Sequence, residues 1–286
     1  MVAAAKALAR ALVPRRFRNW VRSPARSLAW ARDQAAHVLG HDPFVDIRVG
    51  WTVRCHPAAW RLAYRAHVQD PEQVTELDAF ITHCTTGMVL VDAGAHFGLF
   101  CLAALHYGGR HAVAVAVDPS PAAARMLRVQ ARLNGVEAQL TIVQAAIAAR
   151  DGTLALVDAG VASAAYFVQP ERQHGERERT SVPAVTVDSL AAGLRSPVTH
   201  LKIDVEGFEA AALTGARKTL ACPNPPLLFL ELHNEIVARN GGDSGETLAI
   251  LEECGYSVFD PVGAPLNRDA ILSRPLIRVV AKRSSS

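Results

Sequence analysis

Carboxylates close several of the apolar runs in this chain, and one histidine stands among them. Val89-Leu90-Val91 ends in Asp92, Ala112–Val117 ends in Asp118-Pro119, and Leu201-Lys202-Ile203 ends in Asp204-Val205-Glu206-Gly207-Phe208-Glu209. A further run closes with Glu231-Leu232-His233-Asn234. Clustered carboxylates can hold a metal, orient a hydroxyl or favour a cationic sulfonium electrostatically. A histidine, with an ordinary pKa of about 6.5, can take a proton at neutral pH. Asp204 follows the buried alternation of its run and is expected to point at a reacting centre. Glu206 is expected to line the same crevice or cap the next helix, and Lys202 to pair with a neighbouring acid. His233 shares a strand face with Glu231 by the period of two. It is the first candidate for a general base and Asp204 the second.

Between Asp92 and the next helical pattern lies Ala93-Gly94-Ala95-His96-Phe97-Gly98. A buried strand that feeds a helix through a glycine turn makes a ligand crevice at the strand's carboxyl end. A dinucleotide site expects Gly-x-Gly-x-x-Gly, with the second glycine against a pyrophosphate. His96 occupies that place, which argues against a nicotinamide oxidoreductase. The carboxylate suits a ligand's ammonium or sulfonium, and the helix start suits its carboxylate. Asp118 stands at the next strand end, where an acid commonly bonds ribose hydroxyls. Gln144 and Ala145 end the third run, where an adenine would lie. S-adenosylmethionine carries all of these groups and no phosphate. The expected binding set is Asp92, Gly94, Ala95, His96, Phe97, Gly98, Asp118, Pro119, Gln144, Ala145 and Asp204.

The elements that must position these residues alternate. Strands are expected at Met88–Val91, Ala112–Val117, Leu140–Val143, His200–Ile203 and Leu227–Leu232, and Tyr256–Phe259 and Leu276–Ala281 finish the sheet. Helices are expected at about 98–107, from Pro121 to Leu133, at 208–220 and at 245–254. Ser120 caps the second of these, and Asn134-Gly135 stops it. Residues 153–157 and 181–187 read as extra strands or extended connections, and Gln169–Thr180 as a mobile polar loop. The alternation predicts an α/β fold, a doubly wound and mainly parallel sheet with helices on both faces. Ahead of it, residues 44–54 read as a hairpin around Gly50. Asp70-Pro71-Glu72 reads as a helix start, with the helix running to about Thr82. The division expected is a basic arm at 1–43, a small cap at 44–87 and the α/β domain at 88–283.

Half of the 286 residues are apolar, enough for a sizeable core, and the net charge of +3 is too small to argue for nucleic acid. Five cysteines with no Cys-x-x-Cys pair read as reduced, mostly buried thiols of a cytoplasmic protein. No apolar run reaches the ~20 residues of a membrane span, and Lys6 and Arg10 interrupt a secretory leader. Eight basic residues precede the first acid, Asp33, interleaved with Leu8, Leu12, Phe17, Trp20, Val21, Leu28 and Trp30. The segment reads either as an amphipathic arm touching an anionic membrane surface or a partner, or as a solvated extension packing its aromatics on the domain.

Four stretches together resemble the FkbM family of S-adenosylmethionine-dependent methyltransferases. They are Asp92–Gly98, Asp118-Pro119, Val185-Thr-Val-Asp-Ser-Leu190 and, above all, Lys202-Ile-Asp-Val-Glu-Gly-Phe-Glu209. The similarity covers about Val45–Ala281. It implies the class I methyltransferase fold, Rossmann-like, with seven strands of which the last is antiparallel. It implies methylation of a hydroxyl on a sugar, polyketide or related natural product, the acceptor being a small molecule or glycan. Asp92, Gly94 and Gly98 would then bind the methionine part and Asp118 the ribose, with Asp204, Glu206 and Glu209 on the family's acidic segment. The chain departs from the pattern at Asp118, where the family usually has Glu, and at His96-Phe97 in place of Asn-Ile. A Mg²⁺ among these acids is a further candidate that the ligand set does not single out. A cofactor-binding protein without transfer activity, recruited through the basic arm, is the rival reading. Asn224-Pro225-Pro226 mimics an amino-methyltransferase signature, but it precedes a strand and is followed by Leu227, not an aromatic.

Overall fold

The computed structural model describes residues 24–158, 166–167 and 179–283. The chain opens with α1 (Pro24–Val38), a hairpin of β1 (Phe44–Arg48) and β2 (Trp51–Arg54), and α2 (Pro71–Thr82). Then come β3 (Val89–Ala93), α3 (Leu99–Gly108), β4 (Val113–Val117), α4 (Pro121–Leu133) and β5 (Leu140–Val143). A side sheet follows, with β6 (Ala146–Ile147), β7 (Gly152–Asp158), β8 (Tyr166–Phe167) and β9 (Arg179–Val185). The chain continues through α5 (Val187–Ala192), β10 (His200–Ile203), α6 (Glu209–Thr214), α7 (Arg217–Ala221) and β11 (Leu227–Leu232). It ends with α8 (Asn234–Arg239), α9 (Gly245–Glu253), β12 (Tyr256–Phe259), α10 (Arg268–Leu272) and β13 (Ile277–Arg283).

Seven strands form the main sheet in the order β12-β13-β11-β10-β3-β4-β5, with β13 antiparallel to both of its neighbours. The seven strands and the single reversed strand are those the resemblance implies. β3 pairs with β4 on one side and β10 on the other, so the strand order reverses beside it. Ligands of open α/β sheets bind at such a switch point, outside the carboxyl ends of the strands. All of β3 is buried, and alternate residues feed two cores: Leu90 joins Phe80 and Phe100, whereas Val91 and Ala93 join Leu201 and Leu230.

The local signals work as expected where they are chemical. Ser120 accepts from the N–H of Ala123, and Asp70 from those of Glu72 and Gln73, so both helices start at a proline after a side-chain cap. The helix expected over 208–220 is two helices. Gly215 breaks it, because the backbone there lies so close to Ala148 that a Cβ would stand 2.2 Å from its carbonyl oxygen. In the Val185–Leu190 stretch, Thr186 caps α5 and Asp188 accepts from the N–H groups of Lys218 and Thr219, which ties α5 to α7. α8 and α10 carry no expectation from the sequence. Neither does the π-helical turn Trp60–Tyr64, which sits between the short helices Pro57–Ala59 and Ala66–Gln69.

Within the expected arm, α1 packs on the cap: Arg61 donates to Asp33 at 2.8 Å, and the rings of Trp30 and His56 stack. The rest of the arm, residues 1–23, and most of the expected polar loop at 169–180 lie outside the described residues. All five cysteines are free, but only Cys55 and Cys101 are buried, so the expectation of mostly buried thiols holds for two of them. No helix among the described residues is long and apolar enough to cross a membrane.

Candidate active site

The glycine turn after β3 is built by its protein neighbours. Gly94 has φ 85°, and a Cβ there would stand 1.8 Å from the carbonyl oxygen of Asp204. Gly98 has φ 83°, and a Cβ there would meet Leu127 at 2.6 Å. Both glycines therefore answer to backbone conformation and close packing. His96 adopts φ 51° without being glycine, and its ring stacks on Phe97 at 3.9 Å between centroids. Burial lowers the His96 pKa to about 4, so this ring is neutral.

Asp118 holds the turn from β4. One carboxylate oxygen accepts from the His96 N–H at 3.0 Å and the other from the Ser120 N–H at 2.8 Å. Asp92 lies under α3, where the Cys101 thiol donates to it at 3.3 Å. Burial raises the Asp118 pKa to about 7 against the hydrogen bonds of Ser120 and His96, and that of Asp92 to about 6 against the pull of Lys202. Two buried carboxylates short of positive partners thus face one turn. α3, which starts at Gly98, has no side-chain cap, and its first N–H groups are free for a ligand carboxylate. The Tyr64 hydroxyl, from the π-helical turn, donates to the Phe97 carbonyl at 2.6 Å and joins the cap to this loop. Gln144 is exposed and Ala145 buried at the end of β5, one strand beyond Asp118.

The second group gathers at the ends of β10 and β11. Asp204 donates its N–H to the Ala93 carbonyl at 2.9 Å, which seats it against the glycine turn. His233 Nε2 lies 3.7 Å from Asp204 Oδ1 and 3.6 Å from Glu206 Oε2. Its Nδ1 is 2.9 Å from Glu209 Oε1, which also accepts from the Gly207 N–H. Glu209, not Glu206, therefore fastens the start of α6. Glu206 sits at φ 53°, a left-handed conformation that costs a non-glycine residue of order 1–3 kcal/mol and recurs at functional sites. Burial alone would lower the His233 pKa, but the hydrogen bond to Glu209 and the charges of Asp204 and Glu206 push it up to about 9. The ring is an imidazolium at neutral pH, not the neutral group that its ordinary pKa suggests.

A buried charge brace lies beneath. Lys202 Nζ stands 3.0 Å from Glu76 Oε1 and 3.8 Å from Asp204 Oδ2, over the Phe100 ring, in an ionic contact without a well-aligned hydrogen bond. Arg278, from β13, donates to Glu76 at 2.9 Å and to Glu231 at 2.8 Å. Burial opposes the Lys202 charge, but Glu76, Asp204, Glu231 and Asp92 hold it protonated. Burial, then Asp204 and Glu76, raise the Glu231 pKa against the pull of Lys202 and Arg278. Removing one member of a buried pair strands the other, so Lys202→Met is expected to cost about 3–5 kcal/mol of stability in urea unfolding. Adding Glu76→Gln should return part of that loss. Equal stability of the single variant and the parent would refute the brace.

Residues 92–258 match the family model described as the methyltransferase FkbM domain, which is more than half of the chain. The chain belongs to the FkbM methyltransferase family. No curated protein matches it. Among solved structures, it is 14% identical to methyltransferase FkbM from Methylobacillus flagellatus, with a TM-score of 0.47. That match covers 94% of this chain and 62% of the other, so the chain spans under two thirds of that protein's length. It is 10% identical to a putative rRNA-methylase from Clostridium thermocellum, with a TM-score of 0.47, covering 75% of this chain and 96% of the other. It is 13% identical to a SAM-dependent O-methyltransferase from Thermotoga maritima, with a TM-score of 0.41, covering 75% of this chain and 67% of the other.

In this FkbM chain the sheet has the class I methyltransferase order, and the family implies S-adenosylmethionine as the methyl donor. The turn fits that group: the uncapped start of α3 could take a carboxylate, and the under-compensated Asp92 and Asp118 could take positive charge and hydroxyls. Glu76 is not marked by the local sequence because its partners Lys202 and Arg278 lie more than a hundred residues away, and Arg278 because its acids stand on two other elements; an acid on the inner side of α2 was the one available signal.

The pKa of Asp92 yields a prediction. Its folded value, about 6, exceeds its ordinary value of 3.8. The group therefore contributes stability that is fully present below pH 3.8 and lost as pH rises through 6. Asp92→Asn is expected to stabilise the ligand-free protein at pH 8 by about 1–3 kcal/mol, with little gain at acid pH. It should also weaken S-adenosylmethionine binding about 10–100-fold. Urea unfolding across pH and calorimetric titration check both, and a destabilised variant at pH 8 would contradict the first.

Proposed function

We propose that this protein transfers a methyl group from S-adenosylmethionine to a hydroxyl oxygen of a small-molecule or glycan acceptor, such as a sugar or polyketide. Asp92, the turn 94–98 and Asp118-Pro119 hold the donor, and Gln144 and Ala145 flank its base. When bound, S-adenosylmethionine supplies an electrophilic methyl group on a cationic sulfur. The observation that carries the reading is the meeting of Asp204, Glu206 and His233 beside the turn that holds Asp92 and Asp118.

Asp204 is the group an acceptor can reach: its side chain is 33% exposed, against 5% for His233. It accepts the hydroxyl proton as the oxygen–carbon bond forms and the sulfur–carbon bond breaks. Glu206, 36% exposed, orients the hydroxyl from the other side. His233, clamped by Glu209, keeps the two carboxylates in place. The enzyme contributes mainly proximity and charge preorganisation. The test is transfer of a labelled methyl group to a panel of hydroxyl, amine and thiol acceptors. Label on oxygen supports the reading, and label on nitrogen or carbon alone overturns it. His233→Ala removes a positioning residue, so it is expected to lower the rate by less than the roughly two to four decades that loss of the proton acceptor costs.

A further inference from the structure

We propose that Asp204, Glu206 and His233 bind a divalent first-row transition-metal ion, with Glu209 fixing the histidine ring. The chemical consequence rests on the reading of this cluster as the acceptor site; metal binding itself does not. Each of the three side chains offers one ligand atom, and these atoms lie within 4.8 Å of one another. His233 is 5% exposed, and its Nε2 faces Glu206, Asp204 and Glu231 at 3.6, 3.7 and 3.9 Å. These distances are too long for hydrogen bonds. The Nε2 of a buried histidine thus points into the cluster, at ionic-contact distances and without a direct hydrogen bond among the described residues.

The other ring nitrogen is already engaged. Glu209, 1% exposed, holds Nδ1 at 2.9 Å and is itself fixed by the Gly207 N–H. A carboxylate behind the ring is how metal-ligating histidines are oriented. Ligands about 2.1 Å from an ion stand roughly 3.0–3.4 Å apart, so each carboxylate must come a few tenths of an ångström closer to the nitrogen, and the pair must close on each other from a separation within 4.8 Å. Both carboxylates are about one-third exposed, which leaves coordination positions open to an outside oxygen. The neighbouring cations lie closer to other acids: Lys202 to Glu76 at 3.0 Å and Arg278 to Glu231 at 2.8 Å. Lys202 approaches only the second oxygen of Asp204, at 3.8 Å.

The donor set chooses among ions. Imidazole with two carboxylates suits Mn²⁺, Fe²⁺, Co²⁺ or Zn²⁺, whereas Mg²⁺ and Ca²⁺ take oxygen ligands. An ion here would displace the Nε2 proton of His233 to solvent, hold an acceptor hydroxyl and make it more acidic, leaving one Asp204 oxygen for the acceptor's proton.

The experiment titrates Mn²⁺ into the metal-stripped full chain and follows the electron paramagnetic resonance of the free ion. Uptake of about one ion per chain is expected, with Co²⁺ developing an absorption band of nitrogen ligation. Asp204→Asn and His233→Gln should abolish uptake. Glu209→Gln should weaken it about 10–100-fold with an unchanged circular dichroism spectrum. If His233→Gln does not fold, Glu206→Gln gives the same reading from a more exposed position. No uptake of Mn²⁺, Co²⁺ or Zn²⁺ at millimolar concentration overturns the inference, as does uptake unaltered in these variants. Uptake by a protein that methylates no hydroxyl leaves the metal site standing and removes the O-methyl reading. Hydroxyl methylation at full rate by a protein that takes up no Mn²⁺ does the reverse.

Discussion

Asp204→Asn is expected to lower turnover by about two to four decades at saturating substrates while cofactor affinity changes little. The substitution is nearly isosteric. The Asp204 N–H still reaches the Ala93 carbonyl, and its own carbonyl still packs on Gly94, so the cofactor turn keeps its shape. What disappears is one negative charge, 3.7 Å from the imidazole of His233 and 3.8 Å from the ammonium of Lys202. The amide cannot accept the acceptor's proton, so kcat falls, whereas S-adenosylmethionine keeps Asp92, Asp118 and the start of α3. Single-turnover methyl transfer and calorimetric titration of the cofactor separate the two effects. A variant within tenfold of the parent would move the proton acceptor elsewhere, with Glu206 next in line.

Gly94→Ala is expected to cost about 4 kcal/mol or more, since among the described glycines it has the closest backbone contact. Two effects add. The left-handed backbone at φ 85° disfavours any side chain by roughly 1–2 kcal/mol, and the methyl group would sit 1.8 Å from a backbone oxygen that cannot move without unpairing β10 from β3. Gly135→Ala separates the two, since Gly135 has φ 67° and nothing within 4 Å of the built Cβ. It should lose only the smaller, conformational amount. Urea midpoints measure both, and equal losses at the two positions would mean that the clash is relieved by a shift of the turn.

The parts of the fold legible in the sequence are those encoded locally. Apolar runs bounded by turn residues place Leu140–Val143, His200–Ile203 and Leu227–Leu232 at their observed ends. Serine or aspartate before proline places the starts of α2 and α4. The acids at the strand ends were legible as a group for the same reason. The purpose of each glycine was not. Gly94 and Gly98 read as room for a ligand, yet each is required by a protein atom from a distant segment. The protonation of His233 was hidden too, because its ordinary pKa says nothing of Glu209 behind the ring. The break at Gly215 depends on Ala148, some seventy residues earlier, and no helical period reveals it.

The Glu76 carboxylate also bears on how the chain matures on a ribosome. Its arginine partner follows 202 residues later in the sequence, and Lys202 is itself far downstream. A nascent cap would emerge with an acid it cannot yet neutralise, so α2 should remain loosely docked until the terminal strand inserts. Emergence of β13, rather than synthesis of the cofactor half, would then mark the moment at which the enzyme closes its interior.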